Sequence, residues 1–246
     1  MVDEKERSSR NRPPEFSGSQ TPDAPGDPRG SFPVPKPAAQ RISLYLRYLE
    51  ALHSGGQTTI SSKELGSALG LTAAQIRKDL RHFGQFRFPG VGHKIPALIN
   101  DIRRILGTDR IWNAALIGVG NLGTALARYR GFEHKGFQIA AFFDADPDVG
   151  ARKTLGGTIY SMDHFDEIVR AENIQIGILA VPAESAQEVA DRLVNAGIRG
   201  ILNFAPRVLA LPEQVFSVSV DLTTQLEQLT LGLSCLGRNG GAERQK

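Results

Sequence analysis

The sequence predicts an α/β protein with two ordered units, a small helical unit followed by a parallel sheet covered by helices on both faces. Three observations carry this prediction. Apolar residues recur at helical spacing between residues 40 and 106, and from residue 112 short continuous apolar runs alternate with helical patterns. A glycine-rich turn also lies between the first of those runs and the helical pattern that follows it.

Composition divides the chain of 246 residues into five segments. Residues 1–38 hold eight of the fourteen prolines and few aliphatic side chains, so we expect a disordered tail there. We expect a helical unit over residues 39–107, a sheet unit over 108–221, a C-terminal helix over 222–236 and a second disordered tail over 237–246.

Charge is unevenly distributed along the chain, whose net charge is +3. Residues 39–107 carry ten basic and four acidic side chains, whereas residues 108–246 carry thirteen basic and sixteen acidic ones. A basic segment joined to a mildly acidic one suggests that only the first meets a polyanion. On charge alone, an ordinary solvated surface is the alternative.

Several classes of protein are disfavoured by composition. No apolar run reaches the ~18 residues typical of a membrane span. The single cysteine, Cys235, rules out an intramolecular disulfide framework, and the five histidines show no metal-ligand spacing. We therefore expect a cytoplasmic protein with neither a membrane span nor a metal site.

The helical unit contains two closely spaced helix-start signals. Residues 61–64 (SSKE) fit a capping box, and Gly70 would end the helix that they start. Residues 72–75 (TAAQ) repeat the capping pattern for a helix that runs to about His82. With the preceding apolar stripe, this predicts a helix-turn-helix from about Tyr45 to Phe83.

The second helix of this pair would present a basic face. Ile76 and Leu80 point to one side, while the opposite side carries the candidate DNA contacts Gln75, Arg77, Lys78 and Arg81. Arginine reads guanine, glutamine reads adenine, and lysine more often meets phosphate. An amphipathic helix with a solvated basic face is the alternative. The two capping boxes and the excess of basic over acidic side chains in this unit favour DNA binding over a solvated face.

A wing is predicted after the basic helix. Residues 86–93 contain Pro89, Gly90 and Gly92 and are typical of a hairpin, and residues 95–106 read as a further helix. His93 and Lys94, near the predicted tip, are candidate contacts to a neighbouring backbone or minor groove.

The sheet unit is predicted from short apolar runs at residues 114–117, 139–143, 176–181, 198–204 and 215–220. Nearly continuous apolar runs that alternate with helical patterns are typical of parallel strands buried on both faces. The alternation therefore favours a Rossmann-like doubly wound sheet.

The glycine-rich turn is the strongest candidate ligand site. It contributes Gly118, Val119, Gly120, Asn121, Leu122 and Gly123, between a strand and a helix. In this motif the first glycine permits a tight turn, the second lets a pyrophosphate approach the backbone, and the third allows close helix–strand packing. The start of the helix then favours phosphate. The sequence thus predicts a dinucleotide pocket.

Asp144 ends the second strand, where an acidic side chain would accept hydrogen bonds from an adenosine ribose. A carboxylate there would repel the extra phosphate of NADP, which favours NAD(H). Coenzyme A or FAD on the same fold is the alternative ligand.

A dehydrogenase is the main competing function for such a pocket. Hydride transfer needs a positioned acid or base, and His134 and His164 are the candidates that the sheet unit offers. Both are expected at the surface, and the sheet unit leaves no room for a substrate domain. Binding without turnover is therefore the simpler interpretation.

Residues 40–234 resemble Rex, a bacterial family of redox-sensing transcriptional repressors. The matching segments are 41–47 (RISLYLR), 72–80 (TAAQIRKDL), 90–92 (GVG), 118–123 (GVGNLG), 180–182 (AVP), 200–206 (GILNFAP) and 221–222 (DL). The wing departs from the family's pattern at Arg87, where glycine is common, and at His93, where tyrosine is common.

The resemblance implies a homodimer that binds double-stranded operator DNA and senses the NADH/NAD⁺ ratio. NADH would close the two subunits and release the DNA, whereas NAD⁺ competes for the pocket and leaves the DNA-bound form allowed. It further implies that Pro182 and Asn203 lie near the nicotinamide, and that Arg47, Tyr129 and Asp221 couple the pocket to the DNA-binding unit.

The resemblance also implies a C-terminal helix that is swapped between subunits. Its leucine stripe has no obvious partner in a sheet already covered by its own helices, which fits a partner subunit, although packing within one chain is the alternative. The stripe consists of Leu222, Leu226, Leu229 and Leu233.

Overall fold

The computed structural model of the chain describes residues 36–81, 92–146 and 157–240. Its N-terminal unit comprises α1 (Lys36–Ser54), β1 (Thr59–Ile60), α2 (Ser62–Leu69), α3 (Ala73–Arg81), β2 (His93–Lys94) and α4 (Ile95–Ile105). The antiparallel pair β1–β2 joins the segment before α2 to the segment before α4. The predicted helix-turn-helix is therefore present, while Phe83 and most of the predicted wing lie outside the described residues.

The core of the N-terminal unit is built from the apolar faces of its helices. The stripe on α1 packs against α3 and α4, as the helical spacing predicts. The buried side chains of this core are Ile42, Tyr45, Leu46, Leu49, Ile60, Leu65, Ile76, Leu80, Ile95, Leu98, Ile99 and Ile102.

Local signals set the ends of α2. The Ser61 hydroxyl accepts from the Glu64 N–H while the Glu64 carboxylate accepts from the Ser61 N–H, so the predicted capping box forms in full. Gly70 ends the helix in the left-handed region, with φ 67°.

The second predicted capping box forms only in part. The Thr72 hydroxyl accepts from the Gln75 N–H at 3.1 Å, but the Gln75 side chain does not return to Thr72. Its amide N–H instead donates to the buried Asp79 carboxylate one helical turn away, which directs the side chain along α3 and away from the Thr72 N–H that it would accept from in a full capping box.

The sheet unit comprises β3 (Trp112–Ile117), α5 (Asn121–Ala127), β4 (Phe137–Asp144), β5 (Ile159–Ser161), α6 (Phe165–Ala171), β6 (Ile176–Leu179), α7 (Ala183–Asn195), β7 (Gly200–Asn203) and β8 (Phe216–Ser219). All neighbours in the order β5-β4-β3-β6-β7-β8 are parallel. This is the order of a doubly wound dinucleotide-binding sheet. The predicted Rossmann-like fold is confirmed.

Alternate residues of β3 enter two different cores. Ala115 and Ile117 pack on one face of the sheet, and Ala114 and Leu116 pack on the other. All four are buried, which explains why the strand reads as a continuous apolar run. The strand β5 was not predicted, because three residues at a sheet edge give no such run.

The two ends of the ordered chain differ from the predicted boundaries. The helix α1 begins at Lys36 rather than at residue 39, and Pro37 is acceptable in its first turn because the N–H that proline lacks has no helical partner there. The last helix, α8 (Leu222–Gly240), extends past the predicted end at residue 236. All its described side chains, from Leu222 to Cys235, are exposed.

None of the helices described is long and apolar enough to cross a membrane.

Candidate functional site

A cleft of about 500 Å³ opens where the strand order reverses, between β3 and β6. Ligands of doubly wound sheets bind at this position, outside the carboxyl ends of the strands. The cleft is mostly apolar, with Asp144 and Ser185 among its polar residues. Its walls are Ile117, Gly118, Gly120, Leu122, Asp144, Ala145, Met162, Ala180, Val181, Pro182, Ser185, Val189, Phe204 and Pro206.

The three glycines of the loop have the geometry that the motif predicts. Gly118 has φ 91°, and a Cβ there would lie 2.5 Å from the Ala180 carbonyl oxygen. A Cβ at Gly123 would lie 1.9 Å from the Gly118 oxygen, so the strand and the helix meet there backbone to backbone. At Gly120 a Cβ would meet nothing within 4 Å. The space above Gly120 is thus left open for a ligand.

Asp144 holds the loop and also lines the cleft. One carboxylate oxygen accepts from the Val119 N–H at 2.6 Å, and the other accepts from the Asp146 N–H at 3.0 Å. An ionised carboxylate offers about four acceptor positions, so capacity remains for hydroxyl donors. Val119 itself is buried and does not line the cleft, and neither do Asn121 and Gly123.

The two residues predicted near the nicotinamide have different environments. Pro182 lines the cleft at the start of α7. Asn203 is fully buried at the end of β7, where its amide donates to the Arg207 carbonyl and accepts from the Ala205 N–H. Its side chain thus holds the turn after β7, and Phe204 and Pro206 of that turn reach the cleft.

The exposed face of α3 carries three of the four predicted DNA contacts. Arg77, Lys78 and Arg81 are exposed, and none of them forms an ion pair among the described residues. Gln75 differs from the prediction, because it is half-buried and its amide donates to Asp79 at 2.7 Å.

Asp79 is a buried charged residue that the sequence patterns did not single out. It is almost fully buried in a basic helix and accepts four hydrogen bonds, two from the Arg41 guanidinium, one from the Tyr45 hydroxyl and one from Gln75. Burial alone would raise the pKa of Asp79, but these donors hold it below its ordinary value. Burial and the bond to Asp79 raise the pKa of the Tyr45 hydroxyl, which stays protonated.

This cluster fixes the basic helix to α1. Removing the Arg41 guanidinium would leave the buried Asp79 carboxylate with only the uncharged donors Tyr45 and Gln75, so we expect it to destabilise this packing. A signal existed in the sequence, since Asp79 falls on the same helical face as Ile76 and Leu80.

The two candidate contacts that end the predicted wing form the short strand β2, which pairs with β1. His93 pairs with Ile60 in the two-stranded sheet, and its Nε2 lies 3.3 Å from the Ser62 hydroxyl. Burial lowers the pKa of His93, so the ring is neutral near pH 7 and does not offer a cation to phosphate. Lys94 is exposed in the same strand, and its contact to a DNA backbone stays a prediction.

Glu50 of α1 joins the two units of the chain. Its carboxylate accepts from Arg103 of α4 at 2.9 Å and from Lys135, which lies just before β4. Burial alone would raise the pKa of Glu50, but the two cations lower it below its ordinary value. The carboxylate is therefore charged at neutral pH and ties the helical unit to the sheet unit.

The three residues predicted to couple the units are not joined by hydrogen bonds within the described part of this one chain. Arg47 is exposed on α1, and Tyr129 is exposed beyond α5 with its ring against Phe132. Asp221 caps α8, where it accepts from the N–H groups of Thr223 and Thr224 and from the Thr224 hydroxyl. These bonds, led by those from Thr224, lower the pKa of Asp221.

The candidate acids of a dehydrogenase do not face the cleft. His134 and His164 are both exposed, and neither lines the walls described above. Among the described residues, no group of three metal-ligating side chains is close enough to hold an ion.

Two family models match separate parts of the chain. Residues 33–80 match one described as "Putative DNA-binding protein N-terminus", and residues 109–207 match one described as "CoA binding domain". The division agrees with the two structural units described above.

Relatives match across both units at once. A redox-sensing transcriptional repressor Rex from Carboxydothermus hydrogenoformans is 46% identical over 202 residues, which cover 82% of this chain and 97% of that relative. The chain belongs to the Rex family. A Rex repressor from Streptomyces coelicolor is 42% identical over 196 residues, covering 80% of this chain and 76% of the relative.

Solved structures of a Rex-family repressor named RSP share this fold. RSP in complex with β-NADH is 36% identical with a TM-score of 0.77, covering 85% of this chain and 99% of RSP. RSP in complex with β-NAD⁺ and operator DNA is 37% identical with a TM-score of 0.78, covering 86% of this chain and 98% of RSP. The predicted family and the predicted class of function, a redox-sensing transcriptional repressor rather than an enzyme, are confirmed.

Proposed function

We propose that this chain is a repressor that holds operator DNA through α3 and releases it when NADH occupies the cleft between β3 and β6. The observation that carries the proposal is a dinucleotide cleft and a basic helix-turn-helix in one chain, joined by the ion pairs of Glu50. RSP, which shares both units, is known in complex with β-NADH and with β-NAD⁺ and operator DNA.

The DNA contacts are proposed from the exposed basic face of α3. Arg77, Lys78 and Arg81 offer donors that no acid of the described residues neutralises. Arginine can read guanine in the major groove, and lysine adds attraction to phosphate. Gln75 lies at the start of the same face, and Lys94 would contact a neighbouring phosphate of the DNA backbone.

The residues around the cleft fit a nicotinamide adenine dinucleotide. The open space at Gly120 admits a pyrophosphate against the backbone of the loop. The free acceptor positions of Asp144 suit ribose hydroxyls, and its charge disfavours an extra phosphate at that ribose. The apolar surface of Pro182, Val189 and Phe204 suits the nicotinamide end, whose ring supplies the difference between NADH and NAD⁺ that a sensor must detect.

A second candidate ligand is coenzyme A, which the family model for residues 109–207 names. Its adenosine bears a 3′-phosphate, so the Asp144 carboxylate would repel it. A thermal-shift ranking separates the candidates. The proposal expects NADH to raise the melting temperature more than coenzyme A, whereas a larger shift with coenzyme A would overturn it.

We further propose a homodimer in which α8 is swapped between subunits. The leucines of α8 from Leu222 to Leu233 are each more than half exposed in the single chain, and a stripe of this kind is typical of an interface. Two copies would also place two recognition helices on the two halves of a symmetric operator. Arg47, Tyr129 and Asp221, which share no hydrogen bond within the described part of one chain, would then meet across the interface and transmit the state of the cleft.

We place this function in the cytoplasm, where chromosomal DNA and the nicotinamide pool of a bacterium meet. The test of the whole proposal is a fluorescence anisotropy titration on duplexes selected by the protein from a random-sequence library. NADH should release a bound duplex, and NAD⁺ added with it should restore binding. A coupling of about 1–3 kcal/mol corresponds to a change of roughly 5- to 150-fold in DNA affinity. Binding that ignores NADH would refute the proposal.

A further inference from the structure

The carboxylate of Asp79 uses all its acceptor positions. Oδ2 accepts from Arg41 Nε at 2.6 Å and from the Tyr45 hydroxyl at 2.7 Å, and Oδ1 accepts from Arg41 Nη2 at 2.9 Å and from Gln75 Nε2 at 2.7 Å. An ionised carboxylate has about four acceptor sites. The carboxylate therefore has no acceptor position left. If any of the four donors were removed, one buried acceptor position of Asp79 would lose its hydrogen bond.

The Gln75 amide has one orientation in this arrangement. A carboxylate accepts hydrogen bonds and donates none, so the NH₂ group of Gln75 must face Asp79. The carbonyl Oε1 is then the group turned away from the carboxylate, and among the described residues it has no hydrogen-bond partner. The second hydrogen of the NH₂ group also has no acceptor in the part of the chain that the structure describes.

We propose that Asp79 is a positioning residue that makes Gln75 select against guanine in the operator. This proposal rests on the proposed DNA-binding function of α3. A free glutamine can turn its amide to give donors to any base edge, but one fixed by Asp79 offers a carbonyl acceptor beside a single N–H. Adenine presents an amino donor beside the N7 acceptor, which fits that pair, whereas guanine presents two acceptors.

The neighbouring contacts support a role beyond holding the helices together. Arg41 and Tyr45 already connect α1 to the carboxylate with three hydrogen bonds. The bond to Gln75 runs within α3, between residues one turn apart, and adds no link between helices. What it adds is a defined direction for the amide at the start of the exposed basic face.

The experiment compares variants on duplexes that the wild-type protein has selected from a random-sequence library. Each base pair of the selected duplex is replaced in turn, and affinity is measured by anisotropy. Gln75→Ala identifies the base pair that Gln75 reads, where we expect the wild type to prefer adenine over guanine by roughly 5- to 150-fold, the range for one good bidentate contact.

Asp79→Asn keeps the shape of the side chain but can donate to Gln75 as well as accept, so the amide is free to turn. At that base pair we expect the adenine preference of Asp79→Asn to fall toward 1. In the double variant with Gln75→Ala, the Asp79 change should have no further effect on the preference. Asp101→Asn, which alters an exposed ion pair of α4, should behave as the wild type.

Tyr45→Phe is the matched control for a merely structural role. It removes one donor from the same carboxylate and leaves the bond to Gln75, so it should lower the melting temperature but keep the adenine preference. The proposal is overturned if Asp79→Asn retains the preference or if Tyr45→Phe loses it equally. If Asp79→Asn does not fold, Gln75→Ala still tests the proposal. A Gln75→Ala variant that keeps the wild-type preference for adenine over guanine at every base pair would refute it. A wild type that selects no duplex would instead refute the DNA-binding function itself.

Discussion

Replacing Gly120 with alanine separates ligand binding from folding. The backbone of Gly120 has φ −65° and ψ −160°, which an alanine can adopt, and the added methyl group would meet nothing within 4 Å. Loss of the flexible glycine from the unfolded chain stabilises by about 0.4–1 kcal/mol. Because alanine is a poorer residue than glycine before a helix, roughly 0.5–1 kcal/mol is lost at the start of α5. The two terms nearly cancel.

The effect on the cofactor should be larger. The methyl group occupies the space into which a pyrophosphate must come, and overpacking of this kind typically costs about 1–3 kcal/mol. NADH affinity should therefore fall by about 5- to 150-fold. The melting temperature, in contrast, should stay within roughly 4 °C of the wild type.

The assay is a titration that follows NADH fluorescence, paired with a thermal melt and with DNA binding at fixed NADH. At an NADH concentration that releases DNA from the wild type, Gly120→Ala should remain bound. Gly118→Ala is the contrasting variant, because its φ of 91° and the 2.5 Å approach to the Ala180 oxygen should destabilise the fold itself. Gly120→Ala with unchanged NADH affinity would refute the placement of the pyrophosphate.

Further variants test the remaining contacts. Asp144→Arg should weaken NADH binding and raise the relative affinity for NADPH, and unchanged selectivity in competition titrations would deny the ribose contact. Arg77→Ala should lower DNA affinity by about 5- to 150-fold without changing NADH affinity, as anisotropy and NADH fluorescence would show. Glu50→Gln should be less stable than the wild type at pH 7. Because the pKa of Glu50 is lowered in the folded state, this difference in stability should shrink in thermal melts as the pH falls below about 5. A difference that stays constant with pH would contradict the ion pairs. Replacing Leu226 and Leu229 together by aspartate should convert the dimer into a monomer, as light scattering would show. A dimer mass that is unchanged would contradict the place of α8 at the interface.

Much of the fold could be predicted because local signals agree with it. The capping box that starts at Ser61 and the left-handed Gly70 determine the two ends of α2. The strand β3 is buried on both faces of the sheet, so its sequence contains an uninterrupted apolar run. The edge strand β5 could not be predicted, since its short pairing with β4 depends on the neighbouring strand rather than on its own pattern.

The site could be predicted in part for the same reason. The glycine loop is a local pattern, so the tight turn at Gly118 and the open space at Gly120 could be predicted from spacing alone. Asp79 was missed because its hydrogen-bond partners Tyr45 and Arg41 of α1 lie 34 and 38 residues earlier in the chain. Asn203 was expected near the cofactor from the resemblance to Rex, but only the packed structure shows that its amide is used by the turn beyond it.

The most direct test of the account is operator affinity measured across a series of NADH/NAD⁺ ratios at constant total nucleotide. The account predicts that a duplex selected by the protein is bound at low ratios and released as the ratio rises, with Gly120→Ala insensitive over the same range. An affinity that stays constant across the series, while NADH fluorescence shows the cleft filling, would contradict the link between the cleft and α3.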